Sequence, residues 1–128
     1  MRSTSKTLRT LLGACAVLAA SAAFAHPKLL SSTPADKAEV AAPAKIELNF
    51  SERLLPEFSA ANLLMTAMPG MAAHAPMKMA FKVAGGSDEK TMVITPAQPL
   101  PPGTYRVEWR AVSTDTHRVT GNFSFEVK

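Results

Sequence analysis

Three stretches of the chain alternate apolar and polar residues with a period of two, the pattern of a half-buried β-strand. They are Lys45-Ile46-Glu47-Leu48-Asn49-Phe50, Tyr105-Arg106-Val107-Glu108-Trp109-Arg110-Ala111-Val112 and Phe123-Ser124-Phe125-Glu126-Val127. In the second, Tyr105, Val107, Trp109 and Ala111 share one face, and Trp109 is expected to be the central core aromatic. Weaker strands are expected over Ala61 to Thr66, Met79 to Val83 and Thr91 to Thr95, with an edge strand over Lys28 to Ser32. Turn chemistry separates them at Gly85-Gly86-Ser87-Asp88, Pro99-Leu100-Pro101-Pro102-Gly103 and Thr120-Gly121-Asn122. Short strands at regular spacing, with ten prolines and no long proline-free helical period, predict an all-β fold of about seven strands, a Greek-key β-barrel or sandwich.

The first residues change the picture of what is mature. Arg2, Lys6 and Arg9 precede an apolar run from Leu11 to Ala20, and Ala23-Phe24-Ala25 places small residues where a signal peptidase reads them. Cleavage after Ala25 is expected, leaving residues 26–128 as a single domain exported to the periplasm; the apolar run is too short to span a bilayer. Leu12-Gly13-Ala14-Cys15 resembles a lipoprotein processing site, but Thr10 to Ala14 is too short an apolar region to precede it. The only cysteine therefore leaves with the leader, and no disulfide is expected. Loss of three basic residues takes Lys+Arg from 14 to 11 against 10 Asp+Glu, so the formal charge drops from +4 to +1. With no long basic run and few aromatics, nucleic-acid binding is unsupported.

Candidate chemistry concentrates in two places. Five of the seven methionines fall in Met65-Thr66-Ala67-Met68-Pro69-Gly70-Met71-Ala72-Ala73-His74-Ala75-Pro76-Met77-Lys78-Met79, with one of the three histidines and no Asp, Glu or Cys. Methionine is common core filler, and a methionine-rich surface also suits a protein partner. Here, however, Pro69, Gly70 and Pro76 break any regular element, and the other neighbours are mostly small. Neutral, soft thioethers with one imidazole on a loop suit Cu(I) (or silver) and have little to offer Zn, Mg or Ca. Met65 and Met79 sit at the edges of the segment, beside Leu63-Leu64 and Phe81, whereas Met92 is expected in the core.

The second constellation depends on cleavage. His26 becomes the first residue, so its α-amine and imidazole Nδ1 can close a six-membered chelate ring, and the amine titrates low enough to release its proton near neutral pH. Pro27 has no amide proton to lose, so further ligands must come from elsewhere. Asp115-Thr116-His117 is the natural supplier, since in an extended chain residues two apart project to one side. Amine, two imidazoles and a carboxylate suit tetragonal Cu(II). Singly, these residues have plain alternatives: a frayed terminus, a turn cap, a surface histidine. Glu52 is a candidate for orienting a ligand from the outer shell.

The mature chain resembles the CopC/PcoC family of periplasmic copper-resistance proteins of Gram-negative bacteria. The resemblance covers essentially His26 to Lys128 and rests on His26-Pro27-Lys28-Leu29, Ala42-Pro43-Ala44-Lys45-Ile46-Glu47-Leu48-Asn49-Phe50-Ser51-Glu52, the Met65 to Met77 segment, Thr91-Met92-Val93-Ile94, and the block from Gly103 to His117. It implies a cupredoxin-like Greek-key fold, Cu(II) at His26, Asp115 and His117, and Cu(I) among Met65, Met68, Met71, His74 and Met77 at the other end. It also implies a copper carrier or sequestration protein rather than an enzyme, with a periplasmic multicopper oxidase and an inner-membrane copper transporter as partners. Arg118 stands where the family often has proline, the loop between Met71 and Met77 varies in length, and Met79 has no secure counterpart. The competing reading is a histidine-brace copper monooxygenase. The chain is small for that class, and one Trp and one Tyr are too few for a flat aromatic substrate platform.

Overall fold

The inward faces of the alternating stretches build the core. The computed structural model of the chain describes residues 26–71 and 74–128, so the expected leader, residues 1–25, lies outside the described residues. Nine strands are found among these: β1 Leu29–Thr33, β2 Glu39–Val40, β3 Ile46–Phe50, β4 Ala60–Ala67, β5 Met77–Lys78, β6 Phe81–Gly85, β7 Thr91–Pro96, β8 Gly103–Val112 and β9 Arg118–Val127. They form two sheets, β1-β3-β7-β6 and β2-β9-β8-β4-β5, antiparallel throughout except for the β2–β9 pair. The fold is a β-sandwich. The strand count exceeds the expected seven because β2 and β5, two residues each, carry no readable alternation.

Ile46, Leu48 and Phe50 of β3 meet Tyr105, Val107, Trp109 and Ala111 of β8 and Phe123, Phe125 and Val127 of β9 in one buried cluster. Met92 lies there too, as expected. Trp109 does not stand alone as the central aromatic. It packs edge-on to Phe50 at 5.1 Å, while Tyr105 stacks on Phe125 at 5.6 Å.

Tyr105 donates its hydroxyl to Pro101 O at 2.6 Å, fixing the Pro99–Gly103 connection to the strand it launches. Burial pushes its pKa up to about 12 from 10.0. The folded state thus favours the neutral phenol. That stabilisation is complete below about pH 10 and is lost as pH rises toward 12. As the sole tyrosine, it should give one ultraviolet titration step near pH 12. Tyr105→Phe should remove that step and cost about 1 kcal/mol in a denaturant melt.

One expected turn is absent. Thr120-Gly121-Asn122 lies inside β9, paired with Arg110, Trp109 and Glu108. Gly121 is there because the indole covers it: a Cβ would sit 2.3 Å from Trp109 Cζ2. Glycine inside a strand marks a close approach as readily as a turn. The true β8–β9 reversal falls at residues 113–117, which carry no glycine.

Candidate metal centres

β8 runs between the two candidate sites. Near its start, Thr104 pairs with Ala67 at the end of β4, within the methionine segment, and its end, Val112, leads into the Ser113–His117 turn. Eight residue steps of extended chain separate these ends, about 27 Å.

At the Val112 end, the start of the domain is held firmly. Pro27 is fully buried, Lys28 N–H donates to Ser51 Oγ at 2.9 Å, and Ser51 N–H donates to Lys28 O at 2.9 Å. His26 is thereby anchored by its neighbours, and its ring lies 4.8 Å from that of His117. Glu52 follows Ser51 and is half-buried.

Asp115 and His117 do meet, but not by strand alternation. The segment is a tight turn in which Thr116 N–H donates to Ser113 O at 2.8 Å and Ser113 N–H donates to His117 O at 3.0 Å. Thr116 takes the left-handed conformation, φ 71°, uncommon for a β-branched residue. His117 Nδ1 lies 2.9 Å from Asp115 Oδ2. Sequence reasoning missed Ser113, which is buried and whose hydroxyl donates to Asp115 Oδ1. The only available signal was a serine two residues before an aspartate, a common local turn arrangement.

The Ser113 hydroxyl, and after it the His117 side chain, hold the Asp115 carboxyl down to about 2 from 3.8. Both favour the ionised carboxylate. Its stabilising effect is therefore present above about pH 4 and lost as pH falls toward 2. Carbon NMR of the carboxyl should show an Asp115 midpoint near 2, moving toward the ordinary value in Ser113→Ala.

Among the described residues, no three His, Cys, Asp or Glu side chains are already grouped as a cation site. The carboxylate is turned onto Ser113 and His117, and the nitrogen and oxygen donor set needs an amine that exists only once His26 is the first residue.

At the Thr104 end, Met68-Pro69-Gly70-Met71 is a type II β-turn. Gly70 has φ 78° at the third position, and Met71 N–H donates to Met68 O at 3.1 Å. Methionines three apart are thus brought back to back as a β-bridge. A bulge in β4 between Met65 and Ala67 leaves Thr66 out of register, and Thr66 O accepts His74 N–H at 3.3 Å, folding the loop against the strand end. Met77 begins β5, directly opposite Met65.

His74 Nδ1 lies 2.7 Å from Ala75 O, which only accepts, so Nδ1 carries the hydrogen in the neutral ring and Nε2 presents a lone pair. That Nε2 is buried and has no hydrogen-bond partner among the described residues. Met68, Met71 and Met77 are exposed.

Met65, the first of the expected thioether ligands, lies in the core. Strand alternation puts Leu63 and Met65 on the inner face of β4, opposite Val107 and Tyr105, and Met65 belongs to the core. Met79 is half-buried against the same core. Arg118 is exposed at the start of β9, opposite Val112, away from the methionine loop.

These features define a small β-sandwich with a nitrogen and oxygen donor cluster at one end and a thioether loop at the other. Residues 29–128 match the CopC domain family model, a segment that includes both clusters apart from His26. The chain is 59% identical to Copper resistance protein C of Pseudomonas syringae pv. tomato over 123 residues, 96% of this chain and 97% of that protein. It is 58% identical to Copper resistance protein C of Escherichia coli over 118 residues, 92% and 94% of the two chains. The crystal structure of PcoC, a methionine-rich copper resistance protein from Escherichia coli, is similar with a TM-score of 0.75 at 60% identity, covering 81% of this chain and all of that one. The chain belongs to the CopC domain family.

Proposed function

We propose that this chain is a periplasmic copper carrier that sequesters copper or hands it on, using a Cu(II) site of His26, Asp115 and His117 and a Cu(I) site of Met68, Met71, His74 and Met77. The observation that carries this reading is the segregation of two chemically opposite donor sets to the two ends of β8. Imidazole, carboxylate and a terminal amine suit the cupric ion, and thioethers with one neutral imidazole suit the cuprous ion. Copper is cargo here, and no covalent step is required of the protein.

The residues fit that cargo. His74 Nε2 is a buried acceptor without a protein partner among the described residues, flanked by a turn that pairs Met68 with Met71. An unpaired buried acceptor is costly unless something binds it. Exposed thioethers make the cuprous site accessible to a partner's ligands, so transfer proceeds by ligand exchange. Met65, beside Met77 in the sheet, packs into the core, which leaves three exposed thioethers and one imidazole for a three- or four-coordinate ion. The expected export leader, cleaved after Ala25, supplies the periplasmic address and the amine. A periplasmic multicopper oxidase and an inner-membrane copper transporter are the partners this reading favours.

Intact mass of the exported protein tests the reading in one measurement. The expected polypeptide begins at His26 and holds one Cu(II) and one Cu(I) together, each added anaerobically in the stated valence. Competition between the two valences for one site, or a chain beginning elsewhere, would overturn it. Cu(II) at about a thousand times its dissociation constant should also stabilise the fold by about 4 kcal/mol, read as a raised Tm.

A further inference from the structure

The six methionines among the described residues differ sharply in exposure, and the difference follows the candidate site. Met68, Met71 and Met77 are 39%, 55% and 51% exposed, whereas Met65 and Met92 are 3% exposed and Met79 packs against the core. Oxidants reach thioethers according to exposure, and the product is reversible by methionine sulfoxide reductases. The exposed three are thus the positions where oxidation is fast, and they are the thioethers the cuprous reading employs.

We propose that Met68, Met71 and Met77 form a reversible oxidation site through which peroxide switches off cuprous binding while sparing the cupric end; this rests on the cuprous reading above. In each step a thioether lone pair attacks one oxygen of hydrogen peroxide. The O–O bond breaks, an S–O bond forms, and proton transfer to the departing oxygen releases water. Sulfur loses two electrons and peroxide gains them.

The product is a different ligand. A soft, neutral sulfur donor becomes a polar sulfoxide with a hard oxygen, matched poorly to a cuprous ion. The fold survives because the core methionines are shielded: Met65 and Met92 are both members of the buried cluster. The cupric donors, about 27 Å away along β8, contain no sulfur and are untouched. Conversely, a soft ion on the three sulfurs ties up one lone pair of each and draws electron density from the other, which slows its attack on peroxide. Loading therefore protects the site, and oxidation and loading exclude each other.

The exported protein tests this with hydrogen peroxide as oxidant and Ag(I), soft and redox-inert under these conditions, as protecting ion. Cu(I) binding by the unoxidised protein is measured first, against a chromogenic chelator; its absence would sink the underlying carrier reading before any oxidant is added, and the switch with it. Peroxide should then add three oxygens, placed by tandem mass spectrometry at Met68, Met71 and Met77, with Met65 of the same tryptic peptide oxidised at least ~10-fold more slowly because it reacts only through opening. Cu(I) affinity should fall at least ~10-fold, the lower end of what losing even an outer-shell partner costs. It should recover on treatment with methionine sulfoxide reductases, and the Cu(II) EPR spectrum should not change. Ag(I) should slow oxidation at the three positions only. Oxidation of Met65 at the rate of Met68, retention of Cu(I) after all three are oxidised, or equal oxidation with and without Ag(I) would each overturn the proposal. The triple variant M68L/M71L/M77L, blind to peroxide at these positions, should show an unchanged Cu(II) spectrum before and after treatment.

Discussion

Acetylating the α-amine of His26 in the chain that begins there should strip it of tight Cu(II) binding while leaving Cu(I) retention unchanged. The acetyl group leaves the imidazole and the fold in place. It turns the α-amine into an amide, whose nitrogen no longer offers a lone pair to close a six-membered ring with His26 Nδ1. Pro27 makes the loss hard to repair, since the next backbone nitrogen carries no proton and is buried. Losing a direct donor should exceed the roughly 10- to 100-fold penalty for losing an outer-shell partner. The Cu(II)-induced rise in Tm should vanish, and the EPR spectrum should report fewer nitrogens. An acetylated protein that binds Cu(II) as tightly as the parent would show that the amine is not a ligand and would return Asp115 and His117 to the role of a simple turn.

Gly121→Ala should be among the most damaging single methyl groups in the domain. Its Cβ would fall 2.3 Å from Trp109 Cζ2 and 2.7 Å from Cε2. Neither atom belongs to a flexible side-chain end: the indole is rigid and is wedged edge-on to Phe50. The methyl must therefore displace Trp109 or part β8 from β9, the pair that carries both the core and the 113–117 turn. Overpacking of this kind costs about 1–3 kcal/mol and occasionally more. Gly85→Ala is the control, because a Cβ there meets nothing within 4 Å; its effect should stay within about 0.5 kcal/mol. Urea melts followed by the fluorescence of the only tryptophan would compare them directly. Equal midpoints would show that the indole yields freely at this position.

The same glycine shows where reading the chain falls short. Thr120-Gly121-Asn122 has turn composition, and local composition cannot distinguish a reversal from a strand crossed by a neighbour's ring. The distinction lies in Trp109, twelve residues away and on another strand. At residues 113–117 the error has the opposite sign. The reversal uses Thr116 in a left-handed conformation, against its own preference, because Asp115 is held by Ser113 and His117. Side-chain bonds override a propensity that the sequence displays openly.

Met65 separates the two levels again. Its sulfur chemistry is the same as that of Met68, three residues on, and spacing within a loop gives no reason to part them. The bulge at Thr66 does so: before it the chain obeys strand alternation and sends Met65 inward, and beyond it the Pro-Gly turn lifts Met68 and Met71 to the surface. The Pro-Gly dipeptide itself was legible, since only glycine sits comfortably at the third position of a type II turn.

The order of residues alone determined that this is an all-β fold, through period-two burial, and which elements carry donors of each hardness, through side-chain identity. Those properties are local, set by each residue and its near neighbours. Only the tertiary structure decided that the soft and hard sets lie at opposite ends of β8, that Met65 is packing, and that Ser113 holds Asp115. Each of these depends on strand register and on contacts between distant segments, which come into being only when the two sheets close on a common core.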